Sequence, residues 1–388
     1  MTSFGWLDGD DSQRTAMLEV VKLFEDSSTV DEMGIGSIRD TFSNTFFPGT
    51  STLHTRARYL LFVPWLVNDV ARHRWQAERA LQELRNREAK LIESLLAGTD
   101  GQGVIGREAK RTLKSMPSQL YWASLEHLGI RTWRTSIAGY FRSARQHSAR
   151  IDDPDSDHLI VERFGMASLP PSPDHLLDES TFELTHAEAE FLKARIAESA
   201  RDSLFAWLAV HRPASHAEWI WEHEGLEEFP APARALVDEA RRVHLTATGP
   251  AILYNLLMAE KTGNDEVRDE YVDHLAAWAE SVDAEEVFVG WDRKQFWSRI
   301  LRLNPRIKPG TRQFLEDWWT LAEAGNHDGR DAAALVTRRE LVLKRSRARL
   351  TYPDARSTWG VGSGTGALDY RWRIARRHLN DVAAGMES

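Results

Sequence analysis

The sequence predicts an all-α protein, a multi-helical bundle with a second helical domain and a small helix-turn-helix-like subdomain. Three observations lead there. Apolar residues recur at three- and four-residue spacings through most of the 388 residues. Capping and turn residues punctuate those stretches at helix-length intervals. No stretch long enough to build a large sheet alternates with period two, which argues against a doubly wound fold. No internal repeat is visible.

In chain order, Ser12 is placed to cap a helix carrying Met17, Leu18, Val21, Leu23 and Phe24. A short helix from Ser37 carries Ile38, Phe42 and Phe46. The run Phe47-Pro48-Gly49-Thr50-Ser51 reads as a turn, with Thr50 or Ser51 as N-cap of a helix bearing Leu53, Ala57, Leu60 and Leu61. Pro64 should kink or break that helix. A long amphipathic stretch then covers 67–96, with Trp75, Leu81, Leu84 and Leu91 on one side. Three short helices follow near 107–114, 118–128 and 132–144, packed with basic residues. They read as a helix-turn-helix module or as a compact helical subdomain with no DNA role. Residues 151–180, rich in Asp, Pro and Ser, read as a linker or long loop, which separates a domain over 1–150 (basic subdomain 105–150) from one over 181–388. In the latter, helices are expected over 185–210, 215–224, 232–261, 265–281, 292–303, 311–324, 331–348 and 367–384.

Composition narrows the function classes. With 42% hydrophobic and 28% charged residues the chain is globular rather than disordered, and its 15 Trp favour large aromatic contacts. The absence of Cys excludes disulfides, thiolate metal sites, iron–sulfur clusters and a cysteine nucleophile. No signal peptide is read at the N-terminus, and the longest apolar run, 59–67, is too short to span a bilayer, so a soluble, cytoplasmic protein with no membrane association is expected. The net charge of −9 is segregated: residues 105–150 carry nine Lys/Arg against two Asp/Glu, 174–229 four against thirteen, and 336–379 eleven against three. Most of the positive charge is Arg, whose planar fork suits phosphate and carboxylate; an arginine-biased genome gives the same excess.

Three places offer anion chemistry. The turn residues Thr50 and Ser51 with Arg56 and Arg58 can hold an anion, or simply cap a helix and form salt bridges. The glycines of Gly360-Val361-Gly362-Ser363-Gly364-Thr365-Gly366, Gly362 and Gly364 above all, can cradle a phosphate before the last helix, or form a tight loop. No Lys-Ser or Lys-Thr pair follows and no strand precedes, which removes the nucleotide-binding loops. Arg345, Arg347 and Arg349, with Arg371, Arg373 and Arg376 and the interleaved Tyr352, Trp359, Tyr370 and Trp372, fit a groove that neutralises phosphates and stacks bases. The alternative is a basic face docked on the acidic middle of the same chain. His211, His216, Glu222 and His223 lack zinc-hydrolase spacing, and Glu108-Ala109-Lys110 sits in a helical context, so no metal, cofactor or catalytic residue is assigned.

The motifs Gly5-Trp6-Leu7-Asp8, Gly34-Ile35-Gly36-Ser37-Ile38-Arg39-Asp40, Phe47-Pro48-Gly49-Thr50-Ser51 and Arg56-Ala57-Arg58-Tyr59-Leu60-Leu61-Phe62-Val63-Pro64-Trp65, with the run from Trp359-Gly360 to Leu368-Asp369-Tyr370-Arg371-Trp372, resemble a bacterial family of unknown function over nearly the whole chain. The resemblance implies a context: similar proteins sit beside helicases and nucleases in clusters that look like anti-phage defence islands. The expectation is a non-catalytic accessory subunit of a prokaryotic defence or DNA-processing system, binding DNA or a helicase or nuclease partner through basic helices. The alternatives are a protein-binding scaffold, or an enzyme whose site joins the Arg56/Arg58 turn to the glycine loop.

Overall fold

The computed structural model describes residues 31–151 and 165–388. The helix expected from Ser12 lies outside them. The described residues form α1 (Gly36–Phe46), α2 (Tyr59–Arg72), α3 (Ala77–Gly98), α4 (Pro117–His127), α5 (Ile137–Ile151), α6 (His186–Ser199), α7 (Leu204–His211), α8 (Ala231–Ala247), α9 (Gly249–Thr262), α10 (Asp265–Ala284), α11 (Arg293–Leu303), α12 (Pro309–Glu323), α13 (Arg330–Lys344) and α14 (Trp372–Glu387). There is no strand among them, only an isolated bridge between Arg131 and Met166. The protein is all-α and multi-helical. No helix among the described residues is long and apolar enough to cross a membrane.

The chain forms two compact units that are discontinuous in sequence. Among the described residues, the first comprises Phe46–Gly225 with Arg371–Ser388, and the second 31–45 with Leu226–Tyr370. The units therefore do not divide within 151–180. Residues 165–182 are held inside the first unit: Trp65 Nε1 donates to the Pro170 carbonyl (2.8 Å), Ser94 Oγ to that of Leu176 (3.1 Å) and Arg58 Nη1 to that of Thr181 (2.9 Å).

In the first unit, α2 carries nearly its whole surface into the core, with Tyr59 through Val67 all buried. Pro64 lies inside it, and α2 is not broken there. An interior proline costs about 3 kcal/mol, whereas each large apolar side chain fully buried returns roughly 1.5–3 kcal/mol; α2 buries several, so packing wins. The long helix expected over 67–96 is two helices, because Arg74 takes a left-handed φ of 56° and reverses the chain between them. The helix expected at 107–114 does not form: Gly106 and Lys110 have positive φ and only a 3-10 turn, Lys110–Thr112, remains. The expected helix-turn-helix module thus has two helices, α4 and α5, rather than three. Likewise 185–210 divides into α6 and α7, and 215–224 keeps only the 3-10 turn Ile220–Glu222. Helix α6 starts on a capping box in which Thr185 and Glu188 exchange side-chain and backbone bonds. Helix α14 packs on α6 and α7. Its Gly385 permits this close approach, since a Cβ there would stand 2.7 Å from Leu184 Cβ and 2.9 Å from Ala189 Cβ.

The core of the second unit is aromatic. Trp297, Trp318 and Trp319 are fully buried, and the indole N–H groups of the last two are satisfied by the Thr246 carbonyl (3.0 Å) and Thr246 Oγ1 (2.9 Å), as burial of a polar tip requires. The single helix expected over 232–261 is broken into α8 and α9 at Thr248-Gly249-Pro250, where Pro250 has no N–H to continue the ladder. Arg339, buried on α13, donates to the carbonyls of Met33 (2.7 Å), Gly34 (3.0 Å) and Gly310 (3.0 Å) and to Thr311 Oγ1 (3.0 Å). Residues 31–36 are thereby tied to α12 and α13.

Candidate functional site

Residues 47–58 of the first unit form turns rather than the start of a helix, which begins only at Tyr59. Gly49 takes φ +78°. The Thr50 hydroxyl and amide both turn back to the Phe47 carbonyl (2.6 and 3.2 Å), and Ser51 Oγ accepts from Leu53 N (3.3 Å). Thr50 and Ser51 are thus turn formers and not N-caps.

The loop is fastened to α14, more than 300 residues away in sequence. Arg56 Nε lies 3.0 Å from both Asp381 oxygens, its Nη2 2.8 Å from Oδ1, and the Ala57 amide donates to Oδ2 (2.9 Å). Arg371 Nη1 donates to the Thr50 carbonyl (2.9 Å). Arg371 has φ +66° and the preceding Tyr370 φ +51°. Each left-handed non-glycine residue costs roughly 1–2 kcal/mol, so this turn persists only because tertiary contacts hold it; the Tyr370 hydroxyl donates to the Ala240 carbonyl (2.8 Å) in the second unit.

Between the loop and α14 lie two buried histidines. The His54 ring stacks on Tyr121 (centroids 4.0 Å apart, planes at 10°) and on His378 (5.7 Å, 19°). His54 Nε2 is 3.3 Å from the Leu120 carbonyl and 3.1 Å from Ser124 Oγ. A carbonyl only accepts, so Nε2 carries the proton and Nδ1 is a bare lone pair. His54 Nδ1 and His378 Nε2 are both buried without a hydrogen-bond partner. Burial, and then the nearby Arg371, lower the His54 pKa to about 3. His378 is held well below the ordinary histidine value by burial and then by His54, Arg377 and Arg56. Both rings are neutral at physiological pH.

The arginines of α14 divide into two kinds. Arg371 is committed to Thr50, and Arg376 Nη1 donates to the carbonyls of His216 (3.1 Å) and Ala217. Arg373 and Arg377 are exposed and, among the described residues, make no hydrogen bond or ion pair. They stand one turn apart, about 6 Å along the axis. The Arg377 pKa is lowered by partial burial and then by the charges of Arg373 and Arg56, with Asp381 opposing. Asp381, however, is already engaged by Arg56. The result is a locally uncompensated cluster of guanidinium groups, able to take an anion in bidentate fashion.

The other residues singled out in the sequence fall elsewhere. Arg58 is buried against Glu188 (2.8 Å) with Phe62 beneath it and is structural. In the second unit, Arg349 bonds Glu32 (2.8 Å) and the Tyr254 hydroxyl (3.2 Å), while Arg345 and Arg347 are exposed. The glycine loop is not an open phosphate cradle. The fully buried Asn255 accepts from Trp359 Nε1 (3.1 Å) and the Gly362 amide (3.1 Å) and donates to the Ser363 carbonyl (2.8 Å). The Ser363 and Thr365 amides bond within the loop, and α14 starts only at Trp372, so Gly362 and Gly364 are not at its N-terminus. The Arg56/Arg58 turn and the glycine loop belong to different units. Among the described residues no three His, Asp or Glu side chains gather to hold a metal. The sequence reading left out Arg377 as a site residue, although its four-residue spacing from Arg373 was visible. It also left out His54 and His378, for which the sequence carries no signal.

Neither the curated proteins nor the solved structures contain a match to this chain. The motifs at its two ends resemble an uncharacterised family, and the chain belongs to the family of unknown function DUF6361, whose model matches residues 1–385.

Proposed function

We propose that the first unit binds the phosphate backbone of nucleic acid through α14, and that the protein serves as a non-catalytic accessory subunit of a prokaryotic anti-phage defence or DNA-processing system. The observation that carries the reading is the Arg373–Arg377 pair, exposed, one helical turn apart and without a carboxylate of its own. Two exposed arginines on α5, Arg142 and Arg145, add cations that have no partner among the described residues of the same unit. The defence context rests on the resemblance described above, in which similar proteins accompany helicases and nucleases.

The test is binding of the purified chain to labelled single- and double-stranded DNA across a salt titration, for the wild type and for R373A/R377A. Each phosphate contact contributes about 0.7 (single strand) to 0.9 (duplex) to the slope of log K against log salt. The double variant should therefore bind more weakly at every salt concentration, with a slope shallower by roughly 1.4–1.8. Both residues are exposed, so the fold should be unaffected. Equal affinity and slope in the two proteins would overturn the reading. Arg371 and Arg376 are unsuitable for this purpose, because removing them also cuts the bonds to Thr50, His216 and Ala217.

A further inference from the structure

The outer face of α13, in the second unit, departs from the usual rule for a solvated helix. Arg338, Leu341 and Val342 follow one another at spacings of three and one, which places them on one stripe of the helix, and Arg345 follows as its C-cap, where φ turns to +54°. All four are exposed, Val342 at 66% and Leu341 at 36%, and the adjoining Leu343 at 39%. Among the described residues Arg338 and Arg345 make no hydrogen bond or ion pair, and Arg347, just past the helix end, is exposed in the same way. The interior face of the same helix is fully engaged: Arg339 holds four acceptors, and the buried Glu340 accepts from Tyr254 Oη (3.0 Å), the Arg349 amide (3.0 Å) and the Leu350 amide (2.9 Å). The outer apolar residues therefore are not core residues left short of a partner by a loose fold. They sit on a helix whose opposite face is buried and hydrogen-bonded.

Isolated exposed apolar residues need no explanation, but a contiguous group bracketed by free cations has the composition of an interface, with an apolar centre and a charged rim. The charge fixes the kind of partner. We infer that this face of α13 docks an acidic amphipathic segment of another protein, whose apolar residues cover Leu341 and Val342 while carboxylates reach Arg338 and Arg345. The inference does not depend on nucleic-acid binding.

The test uses the full chain and two fluorescein-labelled 20-residue amphipathic helical peptides of equal hydrophobicity, one with Glu and one with Lys on the polar face. The Glu peptide should bind, and V342D and, separately, R338E/R345E should each weaken it at least tenfold, while R373A/R377A leaves it unchanged. Equal binding of the two peptides, or no effect of both α13 variants, would overturn the inference. Vesicles of phosphatidylserine and phosphatidylcholine form a second arm: binding to them that V342D abolishes, with no peptide binding, would replace the protein partner by a lipid surface. A photo-crosslinking residue at position 342 supplies the last arm. Crosslinks to the Glu peptide support the proposal, and crosslinks only to residues 1–30 of the same chain overturn it.

Discussion

The His54–His378 stack makes the first unit acid-labile, because both rings are buried in the neutral form. Both rings are neutral in the folded protein, with pKa values depressed by burial, His54 to about 3. In the unfolded chain each titrates near 6.5. Between those values the unfolded state binds more protons than the folded state, so stability is fully present above the unfolded pKa and falls as pH drops through it. At pH 5 an unfolded histidine is almost entirely protonated, by a factor of about thirty over its neutral form, which at 1.36 kcal/mol per pH unit is about 2 kcal/mol. Any folded pKa below about 4 gives the same figure, because the loss at pH 5 is set by the unfolded state alone. His54 alone therefore removes about 2 kcal/mol between pH 7 and pH 5, a sizeable part of a typical stability of 5–15 kcal/mol, and His378, held well below the ordinary histidine value, adds a loss of the same sign. His378→Phe isolates one share. It keeps a ring in the stack and gives up no hydrogen bond at Nε2, which has none. Urea unfolding followed by tryptophan fluorescence at pH 7, 6 and 5 should show the wild type losing more stability than the variant as pH falls, up to the limit of about 2 kcal/mol that the unfolded histidine sets. A difference that stays constant within 0.5 kcal/mol across that range would mean that His378 accepts a proton in the folded state, and the account of the stack would fail.

Two further substitutions probe one buried contact in each unit. Arg58→Met strands Glu188, 2% exposed, without its cation; thermal unfolding should show a loss of about 3–5 kcal/mol, and adding Glu188→Leu should restore part of it, whereas a loss below 1 kcal/mol would mean that the pair is solvated. Gly249→Ala puts a Cβ 2.4 Å from Trp278 Cζ2 and 2.6 Å from Trp318 Cζ2, so it should destabilise by about 1–3 kcal/mol despite the roughly 1 kcal/mol advantage of Ala in helices; a variant more stable than the wild type would show that the indoles can move aside.

How much of this was legible beforehand depended on where the information lay. Helices announced by both a periodic face and a side-chain cap were readable nearly to the residue: Asp292 caps α11, with its Oδ1 on the Gln295 amide at 2.9 Å. Errors gathered where a non-glycine residue takes a left-handed conformation, as at Arg74, Lys110, Arg345, Tyr370 and Arg371. Nothing in such a side chain signals it locally, because distant contacts impose it. Pro64 is the converse case, a strong local breaker outvoted by burial. At the site, the sequence pointed to both the 50–58 turn and the basic start of α14. It did not reveal that Arg371 and Arg376 end on main-chain carbonyls, since a carbonyl partner has no residue type to recognise. The stacking of His54 on His378 joins positions 324 apart, and neither lies in a spacing that suggests a ligand.

A chain of net charge −9 can hold a polyanion where its charge is locally unmatched. Charge is screened over about 8–10 Å at ordinary ionic strength, so what a phosphate meets at the surface is the local residue left after internal pairing. In the first unit Arg56, Arg58, Arg131 and Arg195 are matched to Asp381, Glu188, Glu126 and Glu198, and add nothing to that residue. Among the described residues Arg373 and Arg377 are not matched, and Asp381, one turn beyond Arg377, is already taken by Arg56. The overall negative charge acts mainly at long range, where it slows the approach of nucleic acid at low salt, while contact affinity depends on the unmatched pair. Association rate and salt slope should therefore separate. Adding cations far from α14 should raise the rate without steepening the slope, whereas R373A/R377A should flatten the slope with a smaller effect on the rate.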